Sequence, residues 1–304
     1  MTEKVKKSIP WLLILTLIVL SCAMGFQLGV PKIKADTNTV TPTVTVGNAA
    51  PTVSNVNLTP HPIVVTENTT TTVTCTATLT DTNGGNDISS ATATIYRSGV
   101  GSNCSADDNN CYKVASCTLG TASGNDRPAT CTADIWFHAE PTDSGTYEGE
   151  TWQCEVTAID SQSATGSGTD STPPELEAQN AITVTASINY GTLSPGATSS
   201  ASEIITATTT GNAAVDVQLS GTDMTSTSTT STIPVGQQEY ALSSVEYGSG
   251  TDLSGTPAPL ELESVKPTTH PSDQSDDIYW RIGIPSGQDP GTYTGTTTVD
   301  AIAD

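Results

Sequence analysis

The chain has few charged residues and very few positive ones. Asp, Glu, Lys and Arg make up 14% of the 304 residues, against about 25% in average soluble proteins. Only 10 residues are Lys or Arg, whereas 32 are Asp or Glu. Residues 1–35 contain five of the basic residues and one acidic residue, so the remaining 31 acidic and 5 basic residues give a net charge of −26. Because nucleic acids bind through cationic contacts to phosphate, we exclude them as partners.

The sequence also lacks the short motifs on which common catalytic sites are built. It has no Gly-x-Ser-x-Gly, no His-Glu-x-x-His, no phosphate-binding glycine loop and no dinucleotide-binding fingerprint. It has no Cys-x-x-Cys pair, and its three histidines are far apart, which argues against a zinc site. His138 with Glu140 and Asp143 could form an acid/base or metal cluster, but a solvated loop after a strand explains them better. We therefore expect that the chain is not an enzyme.

A long hydrophobic run occurs only at the N-terminus. Lys4, Lys6 and Lys7 precede an uncharged, mostly apolar run over residues 9–30, an order that is typical of a secretory signal. Residues 36–50 are rich in Thr, Pro and Val and are predicted to form a flexible stalk. We expect an extracellular or cell-surface location, with membrane contact only through the N-terminal segment.

Three interpretations of residues 1–35 remain open. They can be a signal peptide cleaved after Ala35, or an N-terminal anchor helix, since the run is long enough to span a bilayer. Alternatively, Cys22 is a lipid attachment site, because the residues before it loosely resemble a lipidation motif. All three export the rest of the chain.

Cysteine is confined to one region after this segment. An even, clustered set behind an export signal indicates a disulfide framework in an oxidising compartment. The sequence alone leaves many pairings open. The six cysteines are Cys75, Cys104, Cys111, Cys117, Cys131 and Cys154.

Period-two alternation of apolar side chains with Thr predicts β-strands after residue 50. Val73, Cys75, Ala77 and Leu79 share one face of such a strand, and the same pattern recurs over residues 91–95, 131–137 and 152–158. Trp136 falls on an outer face, where an exposed indole can contact a sugar or a protein, or lie under a loop. Trp152 and Trp280 fall on inner faces and are predicted core residues.

The second half repeats the alternation without cysteine. Strands are predicted over residues 182–188, 215–219, 278–284 and 293–301, and the Ser/Thr run at residues 225–232 is predicted to be an exposed loop. Residues 166–174, rich in Gly, Ser and Pro, are either a linker or a long loop before the last strand of the first domain. The sequence therefore predicts an all-β fold with two β-sandwich domains in tandem, residues 51–178 and 180–303.

The first of these domains resembles an immunoglobulin-like domain. Cys75 lies on an early strand and Cys154 on a late one, with Trp152 two residues before it and Asp143-Ser144-Gly145-Thr146-Tyr147 upstream. The resemblance implies a cross-sheet Cys75–Cys154 disulfide. The other four cysteines fit Cys104–Cys111, which closes a polar loop, and Cys117–Cys131, which joins neighbouring strands.

The second domain resembles the immunoglobulin-like and fibronectin-like modules of secreted bacterial surface proteins. The resemblance is carried by residues 210–217 and by Ile284-Pro285-Ser286-Gly287 with Pro290-Gly291-Thr292-Tyr293. The whole chain is similar to tandem immunoglobulin-like surface proteins, which implies a non-catalytic adhesion, structural or binding role towards an unknown surface protein or glycan. Two alternatives are a carbohydrate-binding accessory module that uses Trp136 and a filament or pilus subunit that exchanges residues 37–47 as a donor strand.

One loop has the composition of a calcium site. Asp81, Asn83 and Asp87 place oxygen ligands at alternate positions of the Asp81-Thr82-Asn83-Gly84-Gly85-Asn86-Asp87 stretch, as hard cations prefer. An ordinary hairpin turn is the competing interpretation. Two further groups of oxygen-bearing side chains that we consider as calcium ligands are Asp107, Asp108 and Asn109, and Asp273, Asp276 and Asp277.

Overall fold

Antiparallel β-sheet accounts for nearly all regular structure, as the alternation predicted. The computed structural model describes residues 38–185 and 187–304. Within them the strands form five sheets, and helix is limited to three single turns of 3-10 helix. The predicted signal or anchor in residues 1–35, with its lipidation candidate Cys22, lies outside the described residues.

The first half of the chain builds two four-stranded sheets, with strand orders β1-β2-β6-β5 and β4-β3-β7-β8. Their inward side chains meet in one buried cluster, which makes the pair a β-sandwich. The strands are β1 (Thr52–Thr59), β2 (Thr70–Thr80), β3 (Ile88–Arg97), β4 (Cys111–Val114), β5 (Thr118–Leu119), β6 (Asp126–Trp136), β7 (Trp152–Asp160) and β8 (Thr165–Thr169).

Strand β2 shows why these sequences form a half-buried sheet. Val73, Cys75, Ala77 and Leu79 are buried, whereas the threonines between them face outward. The β-branched side chain of Thr suits a pleated, solvated surface. β2 pairs with β6 along its whole length, so a shift of one residue would turn the entire apolar set towards water.

Three disulfides join parts of this half. Cys75 of β2 is bonded to Cys154 of β7, so this bond links the two sheets through the core. Cys104 is bonded to Cys111 at the start of β4, and Cys117 is bonded to Cys131 of β6. These are the pairs that the sequence analysis names.

The stretch over residues 166–174 is not simply a linker or loop, because residues 166–169 belong to β8. Glycine makes this strand possible. A Cβ on Gly166 would lie 1.8 Å from the carbonyl oxygen of Pro51, and one on Gly168 would lie 2.7 Å from that of Val53. Glycine in a strand often marks such a close approach of two backbones. Leu176 then packs in the first core and forms a parallel bridge with Ile63.

The second half contains three sheets, with strand orders β15-β14-β17-β10-β9, β16-β11-β19 and β13-β12-β18. Their core includes the buried side chains of Ile205, Leu219, Ile278 and Trp280. The strands are β9 (Ile182–Val184), β10 (Glu203–Thr209), β11 (Val215–Gly221), β12 (Met224–Ser226), β13 (Thr232–Ile233), β14 (Gln238–Ala241), β15 (Thr251–Asp252), β16 (Ala258–Ser264), β17 (Ser275–Ile282), β18 (Tyr293–Thr294) and β19 (Thr297–Ala303).

Two strands of this half are shorter than predicted. The predicted strand over residues 182–188 ends at Val184, since the hydroxyl of Thr185 accepts the next hydrogen bond from the backbone of Thr206. A side-chain acceptor of this kind competes with the backbone ladder. The predicted strand over residues 293–301 is divided because β18 pairs with β12 whereas β19 pairs with β11. The predicted loop at residues 225–232 is a hairpin between β12 and β13.

The two buried clusters are separate, one built from residues 56–176 and the other from residues 205–280. They nevertheless lie in one compact unit, Gly47–Asp304. The division into domains at residues 178–180 therefore stays a prediction.

Removing the inter-sheet disulfide should cost the most stability of the three. The Cys75–Cys154 bond spans 79 residues and Cys104–Cys111 spans 7. On the chain-entropy relation these closures are worth about 4.5 and about 2.5 kcal/mol. We expect the paired Cys75→Ala and Cys154→Ala variant to lose about 2 kcal/mol more than the paired Cys104→Ala and Cys111→Ala variant in urea unfolding. Equal losses would contradict this order.

Candidate functional site

Three carboxylates meet at one end of the first sandwich. Asp81 follows β2 directly, Asp87 lies in the 3-10 turn that precedes β3, and Asp160 ends β7. The register of the sheets places these positions together, because Thr80 pairs with the start of β1 and Ile88 pairs with Asp160. One oxygen of each carboxylate lies within 4.8 Å of the others. Within residues 38–185 and 187–304, no other group of three or more Asp, Glu, His or Cys side chains converges in this way.

Asp81 is the most enclosed member of this carboxylate cluster. Its side chain is fully buried. Its Oδ1 accepts a hydrogen bond from the Asn83 amide at 2.7 Å, which closes a turn of the kind that Asp favours. Its Oδ2 is buried as well and has no hydrogen-bond partner. A buried polar atom without a partner costs free energy, so this oxygen needs an explanation.

Asp160 and Asp87 are held by the loop after β7. Asp160 Oδ1 accepts hydrogen bonds from the amides of Gln162 (2.9 Å) and Ala164 (2.8 Å), and Asp87 Oδ1 accepts one from the Ser161 hydroxyl. The hydrogen bond that Asn48 donates to Asp160, with those from the loop amides, lowers the pKa of Asp160 below its usual range. Asp160 is therefore ionised at neutral pH.

The segment before β1 covers this end of the sandwich. Asn48 Nδ2 donates to Asp160 Oδ2 at 2.7 Å. The amide of Ala49 donates to Asn83 Oδ1 at 2.8 Å, and Asn83 Nδ2 donates to the Gly47 carbonyl at 3.3 Å. Residues 47–49 are thus bonded to both loops that carry the carboxylates.

The sequence located two of the three carboxylates. Asp81 and Asp87 belong to the predicted calcium set, whereas the side chain of Asn83, the third member, holds the N-terminal segment instead. Sequence reasoning missed Asp160, although it follows the inward residue Ala158 by two positions, as Asp81 follows Leu79.

The other acidic groups are engaged in local hydrogen bonds. Asp107 accepts from the backbone of Asn109 and the side chain of Asn110, and Asp273 accepts from both the amide and the hydroxyl of Thr268. Asp277 accepts from the Thr206 hydroxyl. Asp273, Asp276 and Asp277 do not converge on one point.

A second group of polar and aromatic residues joins the two halves. Trp136 is half-buried, and its ring stacks on that of His270, with centroids 4.6 Å apart and an angle of 20° between the planes. Phe137 meets His270 edge-on at 6.0 Å. The sequence predicts that Trp136 either contacts a ligand or lies under a loop. In the structure, the loop before β17 covers one face of its ring through His270.

Lys266 anchors the same loop to the first half. Its ammonium donates to Asn109 Oδ1 at 3.0 Å and lies 3.4 Å from Glu140 Oε1. Asn109 also donates from Nδ2 to the Thr268 carbonyl at 3.1 Å. His138 Nδ1 lies 3.3 Å from Asn109 Oδ1. Two members of the candidate acid/base or metal cluster, His138 and Glu140, thus belong to this junction.

The second half contains an uncharged groove of about 330 Å³. It lies between the segment that follows β9 and the edge strands β18 and β19. Its apolar and aromatic lining includes Val184, Ile188, Ile205 and Val299, with Tyr190 and Tyr293.

Comparisons with known proteins give no name to these features. No family model matches the chain, and no curated protein is similar to it. Among the described residues, we find no helix with the length and apolar character needed to cross a membrane.

The junction should make stability depend on pH. Burial, and then the charge of Lys266, lowers the pKa of His138 below about 6.5, the value expected in the unfolded chain. Below this value the unfolded chain binds a proton that the folded chain does not, so the free energy of unfolding falls as the pH falls.

We expect His138→Gln to lose less stability than the wild type between pH 7.5 and pH 5. The slope of the free energy of unfolding against pH should differ between His138→Gln and the wild type by no more than about 1.4 kcal/mol per pH unit. Urea unfolding across this range measures it. His61→Gln is the matched control, because it makes the same substitution at an exposed histidine outside the junction. A wild-type slope in His138→Gln would contradict the role of His138.

Proposed function

We propose that the chain is an exported, non-catalytic surface protein with a structural or adhesive role, in which two β-rich halves act as one rigid body. The carrying observation is the junction of Lys266, Asn109 and Glu140 with the Trp136–His270 stack. A junction that partly buries a lysine and an indole resists bending more than a flexible linker does.

The disulfides support the proposed location. All three lie in the first half, and bonds of this kind persist in oxidising compartments but are rare in the cytosol. The polar faces rich in Thr and the excess of acidic residues fit a protein that stays soluble outside the cell. We propose a surface protein or a glycan as partner.

The carbohydrate-binding alternative has less support. It needs an exposed aromatic platform, and Trp136 is the side chain on which it depended. One face of that indole is stacked on His270, so a sugar would have to displace the loop that carries His270.

The filament alternative has one observation in its favour. Residues 38–46 form no strand, and Val40, Val44 and Val46 are exposed. They alternate with threonines as in a strand with one apolar face, and the segment carries no charge. An uncharged strand from another copy would match the uncharged groove of the second half.

Export can be tested with the thiols as reporters. In cells that express the full chain, we expect the protein outside the cytosol, with no reaction of Cys75–Cys154 or the other two pairs with an alkylating reagent before reduction. Deleting residues 1–35 should leave the protein in the cytosol with reactive thiols, because the signal is lost. Recovery of the full chain from the cytosol with labelled thiols would contradict export.

The filament alternative predicts polymers that depend on the exposed valines. Val44→Asp with Val46→Asp should abolish them, because burying two carboxylates in a groove without a positive charge costs free energy. Electron microscopy and light scattering of the purified chain measure the polymers. Thr43→Asp with Thr45→Asp, on the other face of the segment, is the matched control. Monomers alone for the unmodified chain would remove this alternative.

A further inference from the structure

We propose that Asp81, Asp87 and Asp160 bind one calcium ion, and that the bound ion fixes residues 47–49 against the end of the first sandwich. This inference does not depend on the proposed surface role.

One oxygen of Asp81 is buried without a hydrogen-bond donor among the described residues. The residue is fully buried, and its Oδ2 has no donor in the described part of the chain. The two carboxylates that converge with Asp81 offer no donor, because carboxylates only accept when ionised. A cation is the group that satisfies an oxygen in such a place.

The three carboxylates have no basic side chain paired with them in the described part of the chain. Neither of the two ion pairs among residues 38–185 and 187–304 includes any of the three carboxylates. The carboxylate oxygens lie within 4.8 Å of one another, so their negative charges repel. A divalent cation among the three offsets this repulsion.

The converging side chains offer only oxygen atoms as ligands. Every side chain that converges here ligates through oxygen, and the six cysteines of the described residues are held in disulfides elsewhere. Zinc prefers nitrogen and sulfur ligands, whereas calcium takes oxygen. Two oxygens about 2.4 Å from one calcium are at most about 4.8 Å apart, so the separation of the carboxylates accommodates this ion. Magnesium requires shorter bonds and a stricter octahedron.

The segment before β1 is bonded to the same two loops. Asn48 is bonded to Asp160 itself, and Ala49 is bonded to Asn83 in the loop that carries Asp81 and Asp87. An ion that holds the two loops together therefore also fixes both attachment points of residues 47–49. Without the ion, repulsion between the loops weakens both bonds.

The main test is thermal unfolding of chelator-treated full chain, with and without 10 mM CaCl₂. Calcium sites of extracellular modules have dissociation constants of about 10⁻⁴–10⁻³ M, so ligand linkage predicts a rise in Tm of roughly 3–10 °C. Asp81→Asn and Asp87→Asn should abolish this rise. Without calcium, Asp81→Asn should unfold at the wild-type temperature or above it, because it removes one of three repelling charges.

Asp134→Asn is the matched control, since Asp134 is exposed on the outer face of β6 and bonds only to Thr72. It should keep the full calcium response. The absence of a rise in the wild type, an equal rise in Asp81→Asn, or an equal rise with 10 mM MgCl₂ would overturn the proposal. Circular dichroism shows whether each variant folds. If either Asp81→Asn or Asp87→Asn fails to fold, calcium titration calorimetry on the one that folds decides whether the carboxylates bind the ion.

Hydrogen exchange tests the attachment of the N-terminal segment. Calcium should slow exchange of the Ala49 amide at least severalfold in the wild type and in Asp134→Asn, but not in Asp81→Asn. Asn48→Ala should still bind calcium in calorimetry while losing part of this protection. Calcium binding without any change at Ala49 would overturn the second part of the proposal and leave the metal site standing.

Discussion

The inward face of the first sandwich is fixed at its centre by the Cys75–Cys154 bond, and the positions of the other features follow from it. This bond joins a central strand of one sheet to a central strand of the other, so it sets which residues of β2 and β7 face each other. Leu79, two positions before Asp81, and Ala158, two before Asp160, are buried on those same faces. The positions of the carboxylates at the strand ends thus follow from the register of the core.

Regular strands account for the scaffold, and the irregular segments account for what is specific to this chain. The loops after β2 and β7 each begin with an Asp whose Oδ1 binds nearby backbone amides. Both loops therefore have defined shapes before any ligand is considered. The loop before β17 is fixed differently, by Lys266 and His270 against the first half. In both the carboxylate cluster and the junction of the two halves, a loop is held by side chains from distant parts of the sequence.

Alternation was sufficient to predict the all-β class and most inward positions, because side-chain period is a local property of a strand. It failed at β8, where Gly166 and Gly168 carry no side chain to alternate and the close passage of β1 decides the structure. Asp81 and Asp87 could be found because they share one loop. Asp160 and the contact of Trp136 with His270 could not, since both depend on how distant strands and loops are brought together. Groups within one loop could therefore be predicted from the sequence, whereas contacts between distant segments could not.

Because basic residues are scarce, the acidic cluster of Asp81, Asp87 and Asp160 has no basic side chain to pair with among the residues that the structure describes. Each of the five basic side chains beyond residue 35 already has partners. Arg97 pairs with Glu150, Lys266 with Glu140, and Lys113, Arg127 and Arg281 donate to backbone carbonyls. Arg127 reaches the carbonyl of Ile88, next to Asp87, but donates to that backbone oxygen and not to the carboxylate. A body with a net charge of −26 has no side-chain cation to spare for three converging carboxylates. The proposed calcium ion would balance their charge, because oxygen ligands on two shaped loops favour calcium at that position.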